Sequence, residues 1–149
     1  MQNPPPGQPS YGAPPPTQKS GLGLEPNIAA ALSYIWIVGL IFFFIEKENR
    51  FIRFHAMQSI IFGIANTVVM FVLIIIGIIF TVLGAAVAST AGDAAGSLFG
   101  LIISLVWLFV WLVPIAFLIG LILTAVKAYQ GKTVKLPIIG NMAEKIVNK

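Results

Sequence analysis

Few side chains in this sequence could carry chemistry, and they cluster in one stretch. His55 is the only histidine, cysteine is absent, and no second ligand-type residue stands at metal spacing from it. A metal site needs three or four convergent nitrogen, sulfur or oxygen donors, so no metal is expected. No nucleophile stands with an acid–base pair, and no phosphate-binding glycine loop appears. Catalysis is therefore the weakest reading, and no cofactor is expected. If the stretch from Glu46 to Ser59 is helical, Phe51, Phe54, His55, Gln58 and Phe62 fall on one face, with Glu46 and Arg50 as an i,i+4 pair. The plainer reading is an interfacial segment whose Arg50 and Arg53 snorkel to phosphates. The functional reading has His55 and Gln58 at the mouth of a span, touching a partner or a passing substrate.

Other candidates are interaction residues. Asn66 lies inside an apolar run, where a side-chain amide most simply hydrogen-bonds across a helix interface. Gly92, Gly96 and Gly100 recur every fourth residue, either as a ridge for close helix approach or as turn glycines around Asp93. Towards the C-terminus, Gly131 is placed to end a helix. Leu136–Gly140, with Pro137 and Gly140, is apolar but too short to span. It should dip into the interface, ahead of a short amphipathic helix around Asn141 to Val147.

The elements that must position these residues are apolar. The chain is 58% hydrophobic and 9% charged, with mean hydropathy +0.94. A soluble domain carries about 25% charged residues, so an ordinary water-soluble fold is excluded. Residues 1–27 hold most of the prolines, mixed with Gln, Gly and Ser, and predict a disordered tail of polyproline II character. Three charge-free runs follow, and a bilayer core of about 30 Å needs roughly 20 helical residues. They predict spans at about 28–45, 57–85 and 98–126, the last kinked at Pro114, with 46–55 and 89–97 as connections. The fold class expected is an all-α, multi-pass bundle of three transmembrane spans.

The basic residues predict the orientation. Lys47, Arg50 and Arg53 in the first connection and Lys127, Lys132, Lys135, Lys145 and Lys149 in the tail share one side of a three-span protein; only Lys19 falls opposite. The positive-inside rule then gives an N-terminus outside and a C-terminus in the cytoplasm, in a plasma membrane. The sequence pI near 9.6 follows membrane sidedness, so anionic lipid headgroups are the expected partner and nucleic acid is not. The runs contain no ionisable group that a proton pump or voltage sensor would need.

Three stretches are familiar together: AALSYI at Ala30–Ile35, the segment Ile45–Ser59, and Lys127–Lys145. With Glu46, Lys47, Phe54, His55, Gln58, Ala128, Tyr129, Gly131, Pro137 and Gly140 they resemble the Tic-twenty-like family of small prokaryotic membrane proteins, over residues 28–147. That family is grouped with a chloroplast inner-envelope import component, so the resemblance implies a helical membrane protein with a link to protein translocation. It brings no catalytic residues. The function expected is a scaffold or accessory subunit of a membrane assembly, with a membrane-protein partner or a second copy of itself. The alternatives are a small oligomeric channel or carrier for a neutral solute, and a lipid-responsive surface protein.

Overall fold

The computed structural model describes residues 20–148; the proline-rich segment 1–19 and its expected disorder lie outside them. The described residues are all-α, with five helices: α1 (Pro26–Leu32), α2 (Trp36–Ile45), α3 (Arg50–Ala91), α4 (Asp93–Tyr129) and α5 (Ile139–Val147). They fall into two compact units, one of residues up to 63 and from 121 onward, the other of residues 64–120.

Two expectations change in the first unit. Residues 20–27, expected within the disordered tail, are hydrogen-bonded and partly helical. Ser20 Oγ accepts from Leu24 N–H at 2.9 Å, Ser20 C=O accepts from Gly23 N–H at 2.7 Å, and Pro26 opens α1 where its missing N–H costs nothing. The expected continuous span over 28–45 is instead two helices of 7 and 10 residues. The break falls at Ser33–Ile35, where Ser33 Oγ bonds back to Ala29 C=O and Ile35 turns extended. A hydroxyl that back-bonds one turn earlier weakens the ladder that would carry the helix on. From there α2 runs antiparallel to the start of α3: Trp36 lies against Gly63, and Gly39 against Ser59.

The predicted helical face at the start of α3 is present, and it is internal. Phe51, Phe54, His55, Gln58 and Phe62 are all buried. Ala29, Ala30, Tyr34, Phe42, Phe51, Ile52, Ala56 and Ala128 form one core cluster. Phe54 and Met57 form a second with Ala143 and Val147 of α5. α3 begins at Arg50 because Asn49 caps it, Oδ1 accepting from Phe51 N–H at 3.1 Å and Ile52 N–H at 3.4 Å. α4 ends as expected at Gly131, whose φ of 73° lets Gly131 N–H reach Ala128 C=O and Lys132 N–H reach Lys127 C=O, a Schellman motif.

In the second unit α3 and α4 pack antiparallel: Gly77 under Trp107, Gly84 against Ile103 and Phe99, Ala88 against Gly96. The nine-residue connection expected at 89–97 is almost entirely helical, because its alanines and small residues continue both helices. The reversal needs only Gly92, at φ 83°. Asp93 follows in the first turn of α4, where a carboxylate complements the helix dipole. α4 continues through Pro114.

The two long helices are 42 and 37 residues, and each contains a strongly apolar stretch of 18 residues that is almost wholly unburied within the chain. Val68, Phe71, Val82, Leu101, Phe109 and Trp111 all point outward. Helices apolar on every side are stable in lipid and would aggregate in water. This is a membrane protein.

Candidate functional site

Three buried polar side chains of the first unit, Tyr34, His55 and Gln58, meet at the bend between α1 and α2. The break in the first apolar run places Tyr34 at that bend, and the helical period of α3 turns His55 and Gln58 towards it. Gln58 Nε2 donates to Tyr34 Oη at 2.8 Å and to Val134 C=O at 3.1 Å, while Gln58 Oε1 accepts from Leu136 N–H at 3.4 Å. Tyr34 Oη lies 3.0 Å from His55 Nδ1. Because Tyr34 Oη already accepts from Gln58, its one proton points to His55 Nδ1. With the Tyr34 proton so placed, the imidazole proton is on Nε2, and in either tautomer Nε2 has no partner among the described residues. Phe51, Phe54 and Tyr34 stand edge-on to the His55 ring at 4.7, 5.3 and 5.8 Å between centroids.

This arrangement holds segments together. One side chain, Gln58, joins the α1–α2 bend, α3 and the 132–136 segment. His55 is enclosed by rings and has no solvent face. Among the described residues, no group of three His, Cys, Asp or Glu side chains is placed to hold a metal ion.

Two further clamps close the same unit. Ser59 Oγ donates to Ser33 C=O at 2.6 Å, satisfying a carbonyl that the broken helix leaves without its ladder partner. Glu46, buried, accepts from Gly21 N–H at 2.7 Å, Asn49 N–H at 3.1 Å and Glu48 N–H at 3.3 Å. The expected pairing of Glu46 with Arg50 gives way to these backbone amides, which a carboxylate can only collect where the chain turns tightly around it. Arg50 is exposed. Arg53 is folded back, its guanidinium 5.7 Å from the Phe43 ring centroid and Nη1 3.5 Å from Lys47 C=O, so only Arg50 fits the snorkelling expectation.

The remaining predicted residues scatter. Asn66 keeps Oδ1 buried with no partner among the described residues. The three glycines do not form one ridge: Gly92 is the turn, Gly96 faces Ala88, and Gly100 has open space where a side chain would stand. Pro137 C=O accepts from Ile139 N–H at 2.7 Å. Gly140 is buried so close to Lys135 that an added Cβ would lie 2.7 Å from its Cα. Sequence reasoning had missed Tyr34, Ser33, Ser59, Gly39 and Asn49 as determinants. The one available signal was the Ser33–Tyr34 pair, polar in the middle of an otherwise apolar run.

The fold can now be set beside known proteins. The model of the magnetosome magnetite crystal formation protein family, MamF/MmsF, matches residues 25–143. The chain belongs to this family. The matched range takes in α1 to α4 and half of α5, and so every residue of the Tyr34–His55–Gln58 cluster.

Two relatives of this MamF/MmsF-family chain are UPF0132 membrane proteins of Methanocaldococcus jannaschii. One is 37% identical over 85% of this chain and 92% of its own length. The other is 34% identical over 83% of this chain and 71% of its own. A UPF0132 membrane protein of Archaeoglobus fulgidus is 34% identical over 81% and 94%. No solved structure matches the chain. The small membrane protein expected from sequence is thus supported through MamF/MmsF and UPF0132, and these relatives do not bear on kinship with the chloroplast import component.

Proposed function

We propose that this protein is a non-enzymatic scaffold of a membrane assembly, presenting a folded unit at one membrane face to a partner. The observation that carries this reading is the use made of its buried polar groups. Tyr34, Gln58, Ser59 and Glu46 bond to backbone or to each other and lock three stretches of chain, as a rigid docking body requires. The description of its family, formation of magnetite crystals in magnetosomes, is consistent with a protein that organises other components without transforming a substrate. The Tic-twenty-like resemblance supports the same class of role, in protein translocation.

The topology that goes with this reading has two crossings, α3 and α4, and a re-entrant α1–α2 hairpin in place of the third span. The hairpin enters beside Gly21, turns at Ser33–Ile35 and returns beside Glu46, reaching along α3 as far as Gly63. That is about 20 Å at 1.5 Å per residue, short of a full crossing. With both ends of the hairpin on one side, all nine Lys and Arg of the chain share the cytoplasmic face, and the Gly92 turn emerges opposite with none.

The test is isolation in a mild detergent after in-cell crosslinking. A partner in fixed stoichiometry, lost when the surface of the 20–63 segment is altered by charge reversal, supports the scaffold. A clean monomer that crosslinks to nothing overturns it.

A further inference from the structure

α5 carries apolar side chains on two sides, centred about 100° apart around its axis. Its inner side, Ala143 and Val147, is taken up by Phe54 and Met57. Its outer side carries Met142 and Ile146, 49% and 42% exposed, and just before the helix stands Ile138 at 75%, the most exposed large apolar side chain among the described residues. Met142 and Ile146, four residues apart, share one flank of α5, with Lys145 beside Met142 at i,i+3 and Ile138 standing just before the helix.

The backbone adds a second, independent observation. Ile138 has φ 67° and ψ −58°, and the Ile139 N–H bonds to Pro137 C=O across it at 2.7 Å. This is a γ-turn of the rarer and strained hand, disfavoured for a β-branched residue and easy for glycine. Within the chain the strain has no return, because the side chain it presents packs on almost nothing. Strain of this kind persists where the displayed group is used.

We propose that the Ile138–Met142–Ile146 flank docks on the anionic headgroup layer of the membrane that the chain spans. The three apolar side chains enter the acyl boundary, while Lys132 and Lys145 meet lipid phosphates. The tether argues for this occupant. Residues 130–138 join the last residue of α4 to α5, at most about 30 Å fully extended, so α5 stays near the bilayer that α4 leaves. Charge argues the same way: five of the nine basic residues lie within 127–149, against one acidic residue, Glu144, already paired with Lys135 at 2.8 Å. A second copy placed on this flank would bring the two sets of lysines together, whereas an anionic leaflet neutralises them. The proposal stands apart from the scaffold reading, since it needs no protein partner.

The cysteine-free chain allows the test directly. Full-length Ile138→Cys, Met142→Cys and Lys132→Cys variants carry a spin label in vesicles of phosphatidylcholine with or without phosphatidylglycerol. Labels at 138 and 142 should be relaxed more by oxygen than by a water-soluble nickel chelate, with the reverse at 132, and the contrast should grow at least twofold with phosphatidylglycerol. Lys145→Gln with Lys132→Gln should abolish that growth. Ile138→Gly, which relieves the turn, should keep the chain folded yet move the label at 142 towards water. Labels at 138 and 142 open to the chelate in both lipids would overturn the docking. Equal depth in both lipids would overturn its anionic selectivity, and labels shielded from both reagents would mean that protein covers this face.

Discussion

Gly21 and Glu46, 25 positions apart, are joined by a hydrogen bond of 2.7 Å from the Gly21 amide to the Glu46 carboxylate. Between them lies the whole of the first apolar run, so that run leaves and returns to one place. A segment whose ends meet cannot also deliver them to opposite faces of a bilayer. The expected outcome concerns Leu22→Cys, Lys47→Cys, Lys132→Cys and Ala91→Cys, all exposed positions in a chain without native cysteine. An impermeant maleimide should reach the first three from one side of sealed vesicles and Ala91→Cys from the other. If Leu22→Cys labels together with Ala91→Cys, the run crosses and the three-span topology is correct.

The long apolar helices were legible from composition because nothing but lipid accommodates charge-free runs of that length. The helical face from Phe51 to Phe62 and the stop at Gly131 were legible from period and from local backbone chemistry. The break of the first apolar run into α1 and α2 was not. A charge-free run of spanning length reads as a span on hydropathy alone, and what interrupts it is the back-bond of Ser33 Oγ together with tertiary bonds: Ser59 reaching the Ser33 carbonyl and Glu46 accepting from the Gly21 amide. His55 and Gln58 stood out in the sequence by residue type. Their role was hidden because Tyr34 and the Val134 carbonyl, which define it, lie 24 and 76 positions from Gln58. The four-residue glycine period left a ridge and a turn both open in the sequence, and Gly92, at positive φ, is the turn.

Gln58 is the only side chain bonded to both the α1–α2 bend and the 134–136 segment among the bonds described above. Gln58→Leu keeps its bulk but leaves Tyr34, Val134 and Leu136 short of partners. Each buried group left unsatisfied costs about 1–3 kcal/mol. Trypsin should then cut at Lys132 and Lys135 at least tenfold faster in Gln58→Leu than in the parent protein, in detergent or nanodiscs. Tyr34→Phe removes the bond to His55 but leaves Val134 and Leu136 on Gln58, so its cleavage should rise much less. Equal rates for both variants would show that Gln58 does not hold this segment.

Asn49 and Glu46 act on adjoining stretches of backbone and should be separable. Asn49→Ala removes the cap of α3 and should lower stability by about 1 kcal/mol, read as a fall in the thermal midpoint. Glu46→Gln keeps one oxygen for Asn49 and Glu48 but forfeits the acceptor for Gly21. Amide exchange should therefore accelerate at residues 20–24 with little change in the first turns of α3. Faster exchange in both places would mean that the two features are one cooperative unit.

Glycine-to-alanine changes give the sharpest contrast between the two units. A Cβ at Gly39 would collide with the Ser33 carbonyl and stand 2.6 Å from Ser59 Oγ, the pair that closes the hairpin bend. Backbone cannot yield as a flexible side chain can, so Gly39→Ala should cost about 1–3 kcal/mol. At Gly100 nothing lies within 4 Å of the added carbon. There the helix gains what alanine offers over glycine, about 0.5–1 kcal/mol, and no packing is lost. Thermal unfolding in a single detergent should therefore move the midpoint down for Gly39→Ala and slightly up for Gly100→Ala. A fall at Gly100 would reveal a helix packed against that face in the membrane, either a second copy or a partner, and would return Gly100 to the interaction surface that its four-residue period suggested.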